Sequence, residues 1–437
     1  MAKAIHLLSV LALAALITGT SYAAGESEQS RENAELKQRV EQLDKEVEEL
    51  KKIVANQTGT PEESSEKQWV WSNLDVQLYG RLKLDASYDS SRVDVGDFAR
   101  WVDPENFNPN DEQFDMTANE TRLGMLINGP DDGNLITSGR VEVDFYGGGD
   151  ENKSHLMMRH AYMKMDWPNK RFNIIAGQTS DVISPLVPDT LNYSVLWWVG
   201  NIGYRRPQIR LTKEYTVKNN VELKLEGAVA RTIGRTNMLL PAAFRTDSGE
   251  DAGFPTLQAR AGVTLPIFGE KKTTVGVSGH WGREEYDITI TGINKKFTTW
   301  SLNMDLTQPV NNKCLIKAEV FTGKDLDAYL GGIGQGVTTA AGINQYDEIG
   351  SSGGWIAATL GPWDNFSYNV GVGMDDAKRG NLQFGNRTQN RAIFGNVIYA
   401  ANKHTDIGFE LSYWRTEYYG PGDAESLRAQ LSFIYNF

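Results

Sequence analysis

The chain has 437 residues, among them 43 glycines and 11 tryptophans, and its mean hydropathy is −0.42. No apolar run reaches the ~20 residues of a membrane-spanning helix, which excludes a helical membrane protein but suits a β-barrel, whose lipid-facing residues alternate with polar ones. The net charge of −12 argues against a nucleic-acid partner, and the single cysteine, Cys314, excludes an internal disulfide.

The first 23 residues have the features of an export signal. Lys3 precedes an apolar stretch from Leu7 to Ile17, and the small residues Ser21 and Ala23 are spaced as they are at a signal-peptidase site. The apolar stretch is too short for a transmembrane anchor, which needs ~20 residues. We therefore expect residues 1–23 to be a signal peptide that is removed on export.

Residues 27–57 are predicted to form a coiled coil in the periplasm. Apolar residues and one asparagine recur with a strict 3-4 spacing over three heptads, and the flanking charges pair Glu32 with Lys37 and Glu46 with Lys51 of a parallel neighbour. Valine at one seam position and leucine at the other mildly favour two strands, so the seam does not by itself predict a trimer. The alternative is a solvated charged helix. The seam residues are Asn33, Leu36, Val40, Leu43, Val47, Leu50 and Val54.

Residues 58–71 are a predicted linker, and residues 72–437 are a predicted barrel domain. The linker ends at Trp69 and Trp71, and indole rings favour a membrane interface. Beyond them, segments of about ten alternating residues recur, separated in turn by short turns and long loops, as in outer-membrane barrels. We count sixteen strands, which start near Val76, Glu120, Ile136, His155, Arg171, Arg206, Asn220, Pro255, Lys271, Lys296, Asn311, Gly353, Asn365, Gln389, His404 and Ala424.

The expected fold class is therefore all-β, a 16-stranded antiparallel transmembrane β-barrel preceded by an N-terminal α-helical coiled coil. Sixteen strands leave a lumen wide enough for water and solute. A soluble β-solenoid or propeller is the alternative, but it would show a repeat of fixed period, and none is visible.

Alternation along the predicted strands indicates which basic residues face the lumen. Arg81 and Lys83 on the first strand, Arg122 on the second and Arg140 on the third are predicted to point inward. A denser group, Arg205, Arg206 and Arg210, follows the third long loop. Guanidinium groups match carboxylate oxygens in two-point contact, so these residues could select anions. The alternative is that these arginines pair with Glu142, Asp144 and Glu226 and only neutralise acids on the water-facing side of the wall.

The third long loop, residues 179–204, is too apolar for a free surface loop. It contains two prolines and two adjacent tryptophans, Trp197 and Trp198. We expect it to fold into the barrel as a constriction or to pack at a subunit interface. Asp181 or Asp189 on this loop would then face arginines of the wall and set a transverse field.

The C-terminal segment from Leu427 to Phe437 has the pattern of the closing strand. Apolar residues alternate with Arg428, Gln430 and Ser432, and the chain ends on an aromatic residue. Lipid outside and water inside would produce this division. An amphipathic strand of a soluble sandwich is the alternative for this segment alone.

Three segments together resemble the DcaP-like trimeric outer-membrane porins: Leu82 to Asp94, Arg159 to Pro168, and Ala176-Gly177-Gln178 through Ile202 to Gln208. The resemblance implies a sixteen-stranded barrel in each of three subunits and passage of small anionic solutes such as dicarboxylates. It adds Arg159 to the basic residues Arg81, Lys83, Arg122, Arg205, Arg206 and Arg210. The chain departs from the pattern at Asn119 and Glu120, where relatives carry another arginine and no acid.

The leading hypothesis is thus a passive homotrimeric channel in the bacterial outer membrane, with outer-membrane lipid and small anionic solutes as partners. One alternative is a tether that acts through the coiled coil. An enzyme is not expected, because His160 and His280 have no serine at a recognisable nucleophile spacing. No motif for a metal, nucleotide or haem is found, so no cofactor is expected.

Overall fold

The computed structural model describes residues 69–71, 74–106, 110–131, 133–149, 153–217, 220–233, 252–268, 271–287, 294–339 and 346–437. The chain divides into two units, residues 1–67 and 68–437, and the described residues all belong to the second. The predicted signal peptide, the coiled coil and most of the linker lie outside them.

The described residues form mainly β-strands. The first half contains β1 (Trp69–Trp71), β2 (Leu74–Asp89), β3 (Val93–Val95), β4 (Ala99–Val102), β5 (Gln113–Thr117), β6 (Arg122–Asp131), β7 (Ile136–Asp144), β8 (Met157–Trp167), β9 (Phe172–Ser180), β10 (Arg205–Thr216) and β11 (Glu222–Ala230). The second half contains β12 (Thr256–Phe268), β13 (Lys271–Asp287), β14 (Asn294–Asn311), β15 (Cys314–Lys324), β16 (Val337–Thr339), β17 (Tyr346–Glu348), β18 (Gly350–Trp363), β19 (Phe366–Ala377), β20 (Arg387–Asn402), β21 (Thr405–Tyr418) and β22 (Ala424–Asn436).

Helical structure in the described residues includes the short 3-10 turns Pro168–Lys170, Asp327–Tyr329, Gly332–Gly334 and Arg379–Asn381. Across the same residues, no helix combines the length and the apolar character needed to span a bilayer.

The main sheet closes on itself. Its last strand, β22, pairs antiparallel with β2, so that Leu84 lies opposite Phe433. At the seam, Gly80 and Phe437 exchange two backbone hydrogen bonds of 2.9 and 3.1 Å. Because closure pairs the edge strands with each other, no edge of the wall is left open along this seam.

The wall has sixteen strands, as predicted. Both β5 and β6 pair with β2, so they are the two parts of one wall strand, which residues 118–121 interrupt. The prediction that this strand starts near Glu120 was wrong, because its first part begins at Gln113. β5 has only five residues, too few for their alternation to distinguish the strand from the long loop before it.

Side chains of the wall alternate between an apolar outer face and a polar interior. On β22, Leu427 and Phe433 are exposed outward, whereas Arg428, Gln430 and Ser432 are buried inside. Large exposed aromatic residues gather near the ends of the strands that are joined by short turns: Trp363, Phe366, Tyr368, Tyr399, Tyr435 and Phe437. An apolar belt with aromatic side chains at its margin is the outer surface that a lipid bilayer requires.

The two ends of the barrel differ. Short turns such as Pro168–Lys170 join the strands at one end, which we call the turn end. Long connections join them at the other, the loop end, as between Ser180 and Arg205 and between Lys324 and Gly350. This asymmetry is the one that the sequence predicted.

Candidate functional site: the lumen beside an inner loop

Residues 181–204, between β9 and β10, fold into the barrel and are called the inner loop. Its first half runs along the inside of the wall, and it forms hydrogen bonds with strands that lie successively further round the barrel. The wall contacts, in order, are Gln258 on β12, Ser278 on β13, Glu319 on β15, Thr359 on β18, Asn396 on β20, Glu410 on β21, Gln430 on β22 and Lys83 on β2. The loop therefore covers the inner face of the barrel from β12 round to β2.

Apolar packing and close backbone contact hold the second half of the inner loop. Val199 and Ile202 are fully buried, as the apolar sequence of the loop predicted. The Trp198 N–H donates to the Leu330 carbonyl at 2.8 Å. Gly200 has a φ of +103°, and a β-carbon there would overlap the carbonyl oxygen of Gly354 on β18. A glycine is required at this position both for its backbone conformation and for the close approach.

The wall next to the covered part, formed by β6, β7, β8 and the adjoining part of β2, carries the partly exposed basic side chains Arg81, Arg122, Arg140 and Lys164. Because these side chains point into the barrel and still have accessible surface, the space between them and the inner loop admits water. The lumen on this side is the candidate site.

The first charge group of the site contains three cations and two acids, Glu120 and Asp85, of which Asp85 lies 3.2 Å from Lys83. The carboxylate of Glu120, in the interruption between β5 and β6, contacts Arg81 and Lys83 and lies 3.6 Å from Arg122. The Lys83 ammonium also donates to the Leu191 carbonyl of the inner loop at 2.9 Å. The side chain of Glu120 is 7% exposed, whereas those of Arg81 and Arg122 are each 26% exposed. The cations Arg81 and Arg122 are thus more exposed to the lumen than the acid.

A second charge group lies on β7 and β8. Arg159 donates to Glu142 at 2.6 Å and to Asp144 at 2.7 Å. Arg140 donates to Glu142 at 2.7 Å and to the hydroxyl of Tyr79 at 2.6 Å. The side chain of Arg140 is 32% exposed and that of Glu142 only 4%, so the guanidinium again faces the water and the carboxylate lies behind it.

The arginines of the predicted cluster separate into three environments. Arg206 is fully buried, forms an ion pair of 2.7 Å with Asp181 and lies over the Tyr329 ring at 3.9 Å. Arg205 is buried, and its guanidinium packs against the rings of both Trp197 and Tyr204.

Arg210, the third member, is partly exposed and bonds to Gln208 at 3.1 Å and to the carbonyl oxygen of Ser180. Arg205 and Arg206 thus anchor the two ends of the inner loop, and only Arg210 keeps accessible surface.

The structure does not bring the acids of the inner loop against the exposed arginines. Asp181 is 4% exposed and pairs with the buried Arg206. Asp189 lies 3.0 Å from Lys317 and 2.9 Å from Thr359, on the part of the wall that the inner loop covers. Of the nine residues predicted to line the lumen, Arg81, Arg122, Arg140 and Arg210 are partly exposed and Lys83, Arg159, Asp181, Arg205 and Arg206 are buried.

Sequence reasoning missed two groups in the lumen. Tyr79 bridges Arg140 and Glu142, and Lys164 pairs with Asp166 at 2.5 Å while its side chain stays 33% exposed. Tyr79 shares the strand parity of Arg81, so the same alternation that identified Arg81 could have identified Tyr79.

The two histidines of the wall are hydrogen-bonded to hydroxyl groups. His160 lies 3.1 Å from the Thr179 hydroxyl, and His280 lies 2.7 Å from Ser301 and 2.9 Å from Thr299. These contacts satisfy polar groups in the wall. Three buried carboxylates that could hold a metal ion, Glu284, Asp325 and Asp327, converge elsewhere, at the loop end.

Known outer-membrane proteins share this fold. The crystal structure of the outer membrane channel DcaP of Acinetobacter baumannii matches with a TM-score of 0.67 and 22% identity, over 84% of this chain and 98% of that chain. The anion-selective porin from Comamonas acidovorans matches with a TM-score of 0.51 and 11% identity, over 83% and 100%. The trimer form of in-vitro folded OmpT, an outer membrane protein of Vibrio cholerae, matches with a TM-score of 0.50 and 12% identity, over 84% and 100%.

No family model and no curated protein matches the chain. The structural matches confirm the fold that the resemblance to DcaP-like porins implied.

Proposed function

We propose that this chain is an outer-membrane porin, a water-filled channel for the passive diffusion of small anionic solutes such as dicarboxylates. The proposal includes a homotrimer in the bacterial outer membrane, with the coiled coil of residues 27–57 in the periplasm. The closed wall with an apolar outer face supports the membrane location, because only a lipid environment makes such a surface favourable.

The observation that carries the anion preference is the difference in exposure within each charge group. Arg81, Arg122 and Arg140 reach the water, while Glu120 and Glu142 are buried behind them. A solute in the lumen meets the guanidinium groups first and lies closer to them than to the carboxylates, so the attraction of an anion to the cations exceeds its repulsion by the acids. Guanidinium groups also offer paired donors to a carboxylate.

The position of the inner loop is that expected of a selective constriction. It covers the wall from β12 round to β2 and so confines a solute to the side that carries Arg122 and Arg140. Its many hydrogen bonds to the wall hold it in place, so the narrowing belongs to the folded barrel. Fixed charges beside a narrow water-filled space are the general basis of selectivity in pores.

The test is the reversal potential of purified channels in planar bilayers under a KCl gradient, followed by addition of succinate. We expect anion preference and current blocks by succinate. Arg122→Gln should lower the anion-to-cation permeability ratio by about two-fold, the scale of about 0.4 kcal/mol expected for one partly solvated charge.

Lys313→Gln is the matched control. It removes one positive charge from the short turn between β14 and β15, where Lys313 lies over the ring of Trp363 and not in the lumen. It should leave the ratio unchanged. The absence of conductance steps would reject the channel itself. Cation preference, or equal effects of the two substitutions, would reject the anion selectivity.

A further inference from the structure

Three carboxylates converge inside the loop end of the barrel, away from the basic lumen. Glu284 lies on β13, Asp325 directly follows β15, and Asp327 begins the 3-10 turn Asp327–Tyr329. One oxygen from each residue lies within 4.8 Å of the others. Glu284 and Asp325 have no exposed surface, and Asp327 is 7% exposed.

The Asp325 side chain shows that this cluster lacks a component. Neither of its carboxylate oxygens has a hydrogen-bond partner among the described residues. Its backbone is firmly held, because its N–H donates to Ile349 at 3.0 Å and its carbonyl accepts from the Thr299 hydroxyl at 2.7 Å. A buried carboxylate held in position without a partner is costly, so native structures pair such groups or give them a metal ion.

Gly336 keeps a space open beside the carboxylates. A β-carbon at this position would overlap Oδ1 of Asp325 and Oδ1 of Asp327. Any larger residue would therefore fill the space on this side of the cluster. The absence of a side chain here and the unpartnered Asp325 are separate observations that point to the same position.

We propose that Glu284, Asp325 and Asp327 bind a calcium ion. Oxygens that bind one Ca²⁺ at about 2.3–2.6 Å lie at most about 5 Å from one another, and the spacing of the three carboxylates meets this limit. Carboxylates are the ligands that hard divalent cations prefer, and water can complete the six to eight positions of calcium.

The charges of the site agree with a missing cation. Asp325 lies close to the carboxylates of Glu284 and Asp327. A bound divalent ion would balance these neighbouring acids.

The ion would connect the loop end of the wall to the inner loop. Residues 325–336, which we call the mouth loop, include two of the three proposed ligands. The mouth loop also accepts hydrogen bonds from the inner loop, from Trp198 to Leu330 and from Gly203 to Tyr329, both at 2.8 Å. Calcium would thus link the mouth loop, which supports the inner loop, to β13.

The test uses the purified full chain in a nonionic detergent, stripped with EDTA and titrated with CaCl₂ by calorimetry. We expect saturable binding and a rise of a few degrees in the unfolding temperature when calcium is added. Asp325→Asn should weaken the binding at least ten-fold and abolish the rise.

Asp375→Asn is the matched control, because Asp375 is also fully buried but is hydrogen-bonded to Ser351 and to the Ile333 N–H. This variant should still bind calcium. Gly336→Ala is the second variant; it changes no charge and should also prevent binding. No saturable binding by the wild-type protein, or binding by Asp325→Asn equal to that of the wild type, would overturn the proposal.

Discussion

Two buried acids of this barrel, Glu120 and Asp325, have charged surroundings of different sign. Glu120 lies among three cations, Arg81, Lys83 and Arg122. Asp325 lies among other acids, and in the part of the chain that the structure describes no cation pairs with it. Both carboxylates are removed from water, so each requires compensation. At Glu120 the protein supplies it, whereas at Asp325 we infer that a bound ion does.

The comparison also separates two uses of charge. Around Glu120 the three cations outnumber the two acids, Glu120 and Asp85, and the partly exposed cations face the lumen, where a solute can meet them. Around Asp325 the acids have almost no exposed surface, so their charge can act only on an ion held inside the wall. The same type of side chain can therefore leave a positive surface at one site and create an internal cation site at another.

The largest expected effect comes from neutralising the acid that has partners. Glu120→Gln leaves Arg81, Lys83 and Arg122 close together without their carboxylate, and breaking a buried ion pair on one side costs about 3–5 kcal/mol. The free energy of unfolding in urea, followed by tryptophan fluorescence, measures this loss. Glu112→Gln, on an exposed carboxylate, is the control and should change stability by no more than about 0.5 kcal/mol. Equal small effects of both would show that Glu120 is not held by its neighbours.

The same acid-to-amide change should have the opposite sign at Asp325. In EDTA, the amide of Asp325→Asn brings no charge and can donate to the neighbouring carboxylates, so we expect a gain of about 1–3 kcal/mol, the scale of an unsatisfied buried polar group. Urea unfolding in EDTA measures it. A loss of stability in EDTA would mean that Asp325 already has its compensation within the protein, and the contrast with Glu120 would fail.

The smallest effect tests the second charge group of the lumen. Tyr79→Phe removes the hydroxyl that accepts from Arg140 and donates to Glu142, and we expect a loss of about 1 kcal/mol, typical of one hydrogen-bonding group. Tyr215→Phe, on the exposed outer face, is the control and should be nearly neutral. If the two variants unfold alike, the hydroxyl of Tyr79 does not help to hold Arg140 in place.

Local sequence patterns predicted most of the wall. Alternation placed Arg81, Lys83 and Arg122 on the inner face, and in the structure all three lie beside Glu120. The apolar composition of residues 179–204 predicted a buried loop, either inside the barrel or at a subunit interface, and the structure shows it inside the barrel. These predictions succeed because the period of two in a strand and the burial of apolar groups are properties of neighbouring residues. The prediction missed the start of this wall strand at Gln113 because β5 is only five residues long.

The partners of the charged residues could not be predicted in the same way. Arg428 pairs with Asp89, 339 positions away in the sequence, because closure of the barrel brings β22 beside β2. The sequence offered Glu142, Asp144 and Glu226 as partners for the lumen arginines. Arg140 and Arg159 do pair with Glu142, but Glu226 pairs with Lys224 and Arg260 instead.

By itself the sequence determined the sixteen strands, the alternation of polar and apolar faces along them and the burial of the loop of residues 179–204, since strand period and loop composition are local. Only the tertiary structure decided which charges reach the water and which are buried. It placed Glu120 behind Arg122 and gathered Glu284, Asp325 and Asp327, because burial and distance depend on how the strands and loops pack in space. The sign of the lumen surface and the proposed calcium site both follow from that packing.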